Sequence, residues 1–295
     1  MVVPIRNMAG RMKYLSQWLN SSGLSSLEVV IVHDESEDQT NLELAELLRK
    51  VSSRRVRIIE GRFGNPGSAR NAGLQTVQTQ WVTFWDSDDL PDVESFLEMV
   101  SQANGAGFKC AVGSFRVLLE NNQSVSEDYL LDGSQSNYLN NIAMNPGIWR
   151  WAFKTSILRN KSFLPIRMGE DVCFLAEVGV ADFEIYQFPK IVYNYHTGVV
   201  GQLTSNPVLI KDLITSMKFL IKELSDSTMA MRAFISKLFW RQFFSVIKRG
   251  TQKDKVNLFT LLIRSAPELL LKNGAQTIRS LIFVIKNREP FGPAK

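Results

Sequence analysis

Residues Trp81–Asp92 read WVTFWDSDDLPD, and the fold turns on how they are interpreted. Trp81, Val82, Phe84 and Trp85 are aromatic or β-branched with only Thr83 among them, which suits a buried strand. The strand runs straight into Asp86, Asp88 and Asp89, and Pro91 closes the run. Like charges this close repel one another unless a cation or a hydrogen-bond network balances them. In open α/β sheets, ligands collect at the carboxyl ends of strands, where these aspartates would stand. Hard carboxylate oxygens select Mg²⁺ or Mn²⁺, so one reading is a divalent cation carrying a phosphorylated ligand. The other is a solvated acidic turn ahead of a helix, with Asp92 near its N-terminus. The stretch alone leaves both open.

Upstream, apolar strands alternate with amphipathic helices. Val2–Ile5 reads as a short strand whose pairing Pro4 restricts. A helix over Arg11–Leu19 follows, with Met12, Leu15, Trp18 and Leu19 on one face. Leu27–Val32 is a second strand and also ends in polar residues, with Ser36 and Asp38 as caps for a helix over Asn41–Val51. Val56–Ile59 is a third strand. This alternation predicts a parallel, doubly wound sheet in which two strands bring aspartates to one crevice. The glycine-rich stretch 61–73 matches neither a GxGxxG fingerprint nor a Walker A loop. It supplies a tight turn, Ser68 as a candidate cap, and Arg70 and Asn71 in the first helical turn, facing either an anion or solvent.

Downstream, a helix is predicted over Val93–Ala103, a strand over Phe108–Leu119 and a loop over Glu120–Asn137. Trp149 and Trp151 are expected in the core rather than in an acceptor groove. Glu170 and Asp171 open a helix running to Val180, where their charge suits the helix dipole. Phe183–Phe188 and Ile191–His196 read as two further strands. A lone histidine such as His196 is more often a hydrogen-bonded structural residue than a ligand.

The composition bounds these readings. Apolar residues make up 45% and charged residues 21% of the 295, enough for a sizeable core. Cys110 and Cys173 are too few for a disulfide framework, which points to a reducing compartment. The N-terminus lacks the apolar segment of a secretory signal, and no stretch is long enough to span a membrane, so a cytoplasmic protein is expected. The formal charge of +5 is uneven: residues 206–295 hold 16 Lys+Arg against 6 Asp+Glu, or +10, leaving −5 for residues 1–205. A domain boundary is therefore expected at 205/206. Phe239, Trp240, Phe243 and Phe244 alternate with Lys237, Arg241, Lys248 and Arg249, a pattern that suits an interfacial helix on anionic lipid or packing against the rest of the chain. A nucleic-acid partner is not expected, because no recognition motif accompanies the charge.

Taken in order, five pieces resemble glycosyltransferase family 2, the inverting enzymes of the GT-A fold. VVPIRN is similar to the family's first strand and turn, and IVHDESED to its VDDGSxD motif. GNPGSARNAGL is close to its glycine-rich turn and helix, WDSDD to its metal-binding DxD, and MGEDVCFL to its late Glu-Asp motif. The resemblance covers residues 2–200 and implies a GT-A catalytic domain over 1–205, followed by a helical extension without a family signature. It implies that Asp34 contacts the nucleotide base and that Arg70 and Pro4 serve the donor side. Asp86 and Asp88 would hold the donor diphosphate through Mn²⁺ or Mg²⁺, with His196 as a third candidate ligand. Asp89 would support that shell or touch the donor sugar. Asp171 matches the catalytic base, with Glu170 beside it. His33 and Glu35 depart from the VDDGS pattern, which leaves base selectivity open.

The implied reaction moves a sugar from a nucleotide diphosphate, with a UDP-sugar as first expectation, to a hydroxyl of a saccharide or lipid-linked saccharide. Three alternatives compete. A sugar-phosphate nucleotidyltransferase would carry a basic glycine-rich signature after the first strand, which Arg6–Gly10 does not match. An aspartyl phosphatase would place DxD after its first strand. A non-catalytic carbohydrate-binding or assembly subunit would not need such crowded carboxylates.

Overall fold

The computed structural model describes residues 1–51, 55–119, 124–131, 138–198, 206–267, 269 and 273–287. The chain forms two compact units. The first comprises Met1–Gly133, Ile148–Asn160 and Glu184–Val199; the second comprises Ser134–Gly147, Lys161–Phe183 and Val200–Lys295. A single cut at 205/206 was expected, whereas two earlier segments also fold with the C-terminal helices.

The first unit holds strands β1 (Val2–Ile5), β2 (Val29–Asp34), β3 (Val56–Gly61), β4 (Trp81–Val82), β5 (Leu90–Pro91), β6 (Cys110–Leu119), β7 (Ser124–Tyr129), β8 (Trp151–Lys154) and β9 (Ile185–Thr197). Helices α1 (Lys13–Leu19), α2 (Thr40–Lys50), α3 (Pro66–Leu74) and α4 (Val93–Gly105) lie between them. β1, β2 and β3 pair in parallel. Val2 joins this sheet to the next strand, its N–H donating to Thr83 O at 2.9 Å and its carbonyl accepting from Trp85 N at 3.1 Å. Beyond that seam the order is β4-β8-β6-β9-β5, with β7 also paired to β6 over Phe115–Leu119, past the β8 contact. These later pairings are mixed: β6 and β9 run parallel, while β8 opposes both β4 and β6.

Strand alternation sends side chains to both faces. Val3, Ile5, Val29 and Ile31 share a core with Leu15 and Trp18 of α1, Leu44 and Leu47 of α2, and Phe96 and Met99 of α4. The opposite face receives α3. There Gly73 lies so close to the sheet that a Cβ would stand 2.4 Å from Val2 Cγ1 and 3.0 Å from Val32 Cγ2. Helices therefore cover both faces, as the alternating pattern predicts. The cap of α3 is Asn65, whose side chain accepts from Ser68 N at 2.8 Å, rather than Ser68 itself; Pro66 then fills the first helical position.

The second helix begins at Thr40 with Gln39, rather than the expected Ser36 or Asp38, at its N-cap, and two strand readings differ as well. Within the predicted loop 120–137, Ser124–Tyr129 forms β7; residues 120–123 and 132–137 lie outside the described residues. Its polar composition hides cross-strand pairs. Arg116 meets Asp128 through bonds of 2.6 and 2.8 Å, and Phe115 stacks on Tyr129 at 4.6 Å. The two strands expected around Pro189 are one strand, β9. The interruption is absorbed as register shifts at Gly113–Phe115, where Ser114 Oγ lies within hydrogen-bond reach of the Phe188 and Pro189 carbonyls.

The second unit holds α5 (Tyr138–Met144), α6 (Glu170–Val178), α7 (Ile210–Leu224), α8 (Met229–Arg249), α9 (Gln252–Ala266) and α10 (Gly274–Asn287). α8 is its centre and packs on α5, α7, α9 and α10. That position explains its aromatics. Phe239 is fully buried, Trp240 Nε1 donates to Thr277 O at 3.1 Å, and Arg241 Nε donates to Met144 O at 2.7 Å. A helix apolar on most sides is a core helix. Cys110 of the first unit and Cys173 of the second are free and buried, and burial pushes both thiols up to about 12. Among the described residues, no helix is long and apolar enough to cross a membrane.

Candidate active site

Trp85 fixes the start of the acidic turn. It is fully buried and meets Trp18 and Phe96 edge-on, with ring centroids 5.5 and 5.1 Å apart. The chain then emerges at Asp86, whose N–H donates to Tyr193 Oη at 3.1 Å. The Asp86 carboxylate receives Arg70 Nη2 at 2.6 Å. That arginine projects from α3 with only 4% of its side chain exposed.

Asp89 points the other way. It is 1% exposed, and its oxygens accept from His196 N at 2.7 Å and from Tyr193 Oη at 3.1 Å. Burial, followed by the charges of Asp88 and Asp86, holds its carboxyl well above the usual carboxylate range. Such a group presents almost no surface of its own. His196 is buried beside it, with Nδ1 3.6 Å from Asp89 and its ring stacked on Tyr14 at 3.9 Å. The arrangement is that of a packed structural residue, and Asp86 and Asp88 do not form a three-ligand cluster with it among the described residues.

The other predicted aspartate stands in the three-stranded sheet, which the Val2–Phe84 bridge joins to the segment leading into Asp86. Asp34 closes β2, where its Oδ1 accepts from Phe63 N at 2.6 Å and Gly64 N at 2.9 Å. Gly64 adopts a positive φ of 76°, which glycine permits without a Cβ clash. Arg6 reaches Asp34 Oδ2 at 3.3 Å. The carboxylate expected to meet a base thus also ties the glycine-rich turn to β2. His33, in place of the usual aspartate, is buried with Nε2 3.0 Å from Ser36 Oγ. Pro4 is half-buried within β1, in register with Val32.

Glu170 and Asp171 belong to the second unit and occupy the first turn of α6. Glu170 is 8% exposed and Asp171 is half-buried. Gly169 precedes them at φ 89° and provides no side-chain cap.

Sequence reasoning missed Arg6 and Tyr193. Arg6 carried a signal, since it follows β1 directly and so stands at a strand's carboxyl end beside Asp34. Tyr193 carried none, because its partner Asp86 lies 107 residues away.

Comparison with known proteins bears on this geometry. The model of the family described as glycosyl transferase family 2 matches residues 2–180. The chain belongs to this family. It is 30% identical over 186 residues to the succinoglycan biosynthesis protein ExoO of Rhizobium meliloti, a match covering 58% of this chain and 52% of that protein. The chain thus spans about half the length of this relative. Over 108 residues it is 34% identical to the poly(ribitol-phosphate) β-N-acetylglucosaminyltransferase TarS of Staphylococcus aureus, covering 33% of this chain and 18% of TarS. In structure it resembles TarS 1–349 in complex with UDP-GlcNAc, with a TM-score of 0.72 and 16% identity over 95% of this chain and 88% of that one. The mannosyltransferase PcManGT of Pyrobaculum calidifontis, in complex with GDP-Man and Mn²⁺, gives 0.55 at 15% identity over 98% and 87%. The architecture is the GT-A fold with a helical C-terminal part.

The Tyr193 hydroxyl joins the Asp86 main chain to Asp89. Tyr193→Phe keeps the ring stacked on Trp149, 4.5 Å away, but leaves a buried carboxyl and an N–H without this partner. The expected loss of stability is about 1–3 kcal/mol, read from urea unfolding midpoints; an unchanged midpoint would contradict it.

Proposed function

We propose that this family 2 glycosyltransferase moves a sugar from a UDP-sugar to a hydroxyl acceptor, with inversion at the anomeric carbon, in glycan assembly. One observation carries the reading: the Asp86–Asp88 pair in the turn beyond β4, which is shorter than the expected Trp81–Trp85 strand, with Arg70 set on Asp86, in a chain of this family. The choice of UDP draws on the TarS structures bound to UDP-GlcNAc and to UDP. GDP-Man in the mannosyltransferase is the competing precedent. The glycan role draws on the names of ExoO and TarS.

The donor set fits a divalent cation. Its oxygens are hard, and one or two carboxylates beside substrate phosphates is the usual Mg²⁺ arrangement. Asp88 and Asp86 would hold such an ion, which when bound would neutralise charge developing on the leaving diphosphate. Arg70 fixes the Asp86 carboxylate, and Asp89 with Tyr193 fixes the turn that presents Asp88. Asp34 and Arg6 offer an acceptor and a donor to a base. Asp171, as general base, takes the proton of the attacking hydroxyl. A single displacement opposite the leaving diphosphate inverts the anomeric carbon without a covalent intermediate.

A peripheral association with anionic membrane completes the reading. The residues that support it lie on α9 and α10 rather than on α8. Val256, Phe259 and Ile263 on α9, and Ile278, Ile282 and Ile285 on α10, are about half exposed or more. Arg264, Arg279 and Lys286 beside them are exposed as well. Exposed apolar stripes with cationic flanks suit an anionic interface.

Three outcomes test these assignments. Asp88→Asn should abolish Mn²⁺-dependent binding of UDP, measured by calorimetry, while circular dichroism stays unchanged; undiminished binding in excess EDTA would refute the metal. Asp171→Asn should lower turnover by about 10²–10⁴-fold with little change in donor affinity; loss confined to Glu170→Gln would move the base to Glu170. Co-sedimentation with phosphatidylglycerol vesicles should be salt-sensitive and lost in the double variant Ile278→Ser, Ile282→Ser, whereas no binding by the unaltered chain would sink the membrane reading.

A further inference from the structure

The first turn of α6 lacks a capping side chain of its own, because Gly169 stands at its N-cap. Its geometry is set instead by α7 and α8 of the same unit. Arg167 N–H donates to Asp212 Oδ2 at 2.9 Å, and Ser216 Oγ donates to Gly169 O at 3.3 Å. Asp212 and Ser216 are four residues apart on α7 and so share a face. Between them they hold the main chain on both sides of Met168. Ser216 and Gln242 are at most 1% exposed, and Gln242 Nε2 donates to Ser216 Oγ at 2.8 Å. The fit is close: a Cβ on Gly169 would stand 3.0 Å from Gln242 Nε2 and 3.1 Å from Ser216 Oγ. Arg249 adds a longer contact from α8, with Nη2 3.9 Å from Met168 Sδ.

We propose that Asp212, Ser216 and Gln242 are positioning residues that aim the first turn of α6, and with it Asp171. The inference rests on Asp171 being the base. A base must be held within about 0.5 Å and 10–20° of its working geometry by groups around it. The backbone of Gly169, two residues ahead of Asp171, sets where the helix begins and which way it points. All three residues lie beyond Val180, where the family match ends. The helical extension therefore supplies a part of the catalytic apparatus that the family pattern does not encode.

The test uses the full chain, with UDP released from UDP-GlcNAc in Mn²⁺ as the turnover readout and hydrogen exchange at amides 167–173 as an independent one. Asp212→Ala and Ser216→Ala should each lower kcat about 10–100-fold, the scale of a misplaced catalytic group. KM for UDP-GlcNAc should hold, and exchange at 167–173 should rise. Asp212→Asn keeps an acceptor oxygen for Arg167 N–H and should restore both kcat and protection. Asp212 is only half-buried, so this pair remains informative if Ser216→Ala fails to fold. Wild-type kcat and protection in both alanine variants, alongside an inactive Asp171→Asn, would overturn the positioning role alone. Normal turnover in Asp171→Asn would remove the base and its positioning together. Were UDP-GlcNAc not turned over at all, unchanged exchange in the alanine variants would still refute the proposal.

Discussion

The mutual repulsion of Asp86, Asp88 and Asp89 constrains the first unit more than any other interaction. Two unit charges 4 Å apart cost about 4 kcal/mol at an effective dielectric of 20. The turn relieves this by giving its members opposite environments. Asp86 is paired with a cation, Arg70. Asp89 is turned inward, where burial and its neighbours favour the neutral acid. Each solution makes demands elsewhere. Arg70 reaches Asp86 only because α3 lies tight on the sheet, which Gly73 permits. Asp89 needs donors from β9, so that strand must continue past its bulge as far as His196.

What was legible in the sequence follows from the range of the forces involved. β1, β2 and the apolar face of α1 announce themselves because burial on one or both faces writes a period into consecutive residues. The family was legible because each of its motifs is a short run of consecutive residues. Long-range pairing leaves no such trace. β7 reads as a loop because its stabilising partners, Arg116 and Phe115, lie on another strand. Pro189 reads as a strand end because its effect is absorbed across the ladder. The aromatics of α8 look interfacial in isolation, yet Phe239 is buried and Trp240 bonds to α10. Asp34 was recognisable as a site residue, but its bonds to Phe63 and Gly64 depend on a turn nearly thirty residues on.

The second unit sets a limit on how the chain can be dissected. Residues 161–183 lie largely inside the stretch matched to the family, yet the backbone ahead of α6 is bonded to Asp212 and Ser216. Cutting at the charge boundary near residue 206 would preserve the matched motifs in sequence. It would also take Asp212 from the Arg167 N–H and leave Gly169 O with only its bond from Cys173 N, loosening the α6 entrance.

The two cysteines divide neatly between the units, Cys110 in one and Cys173 in the other. Alkylating reagents attack thiolate, and burial keeps both groups protonated and covered. Each cysteine therefore stays silent until its own surroundings open. The native chain carries a pair of built-in clocks, whose separate modification rates report how often each half of the molecule breathes.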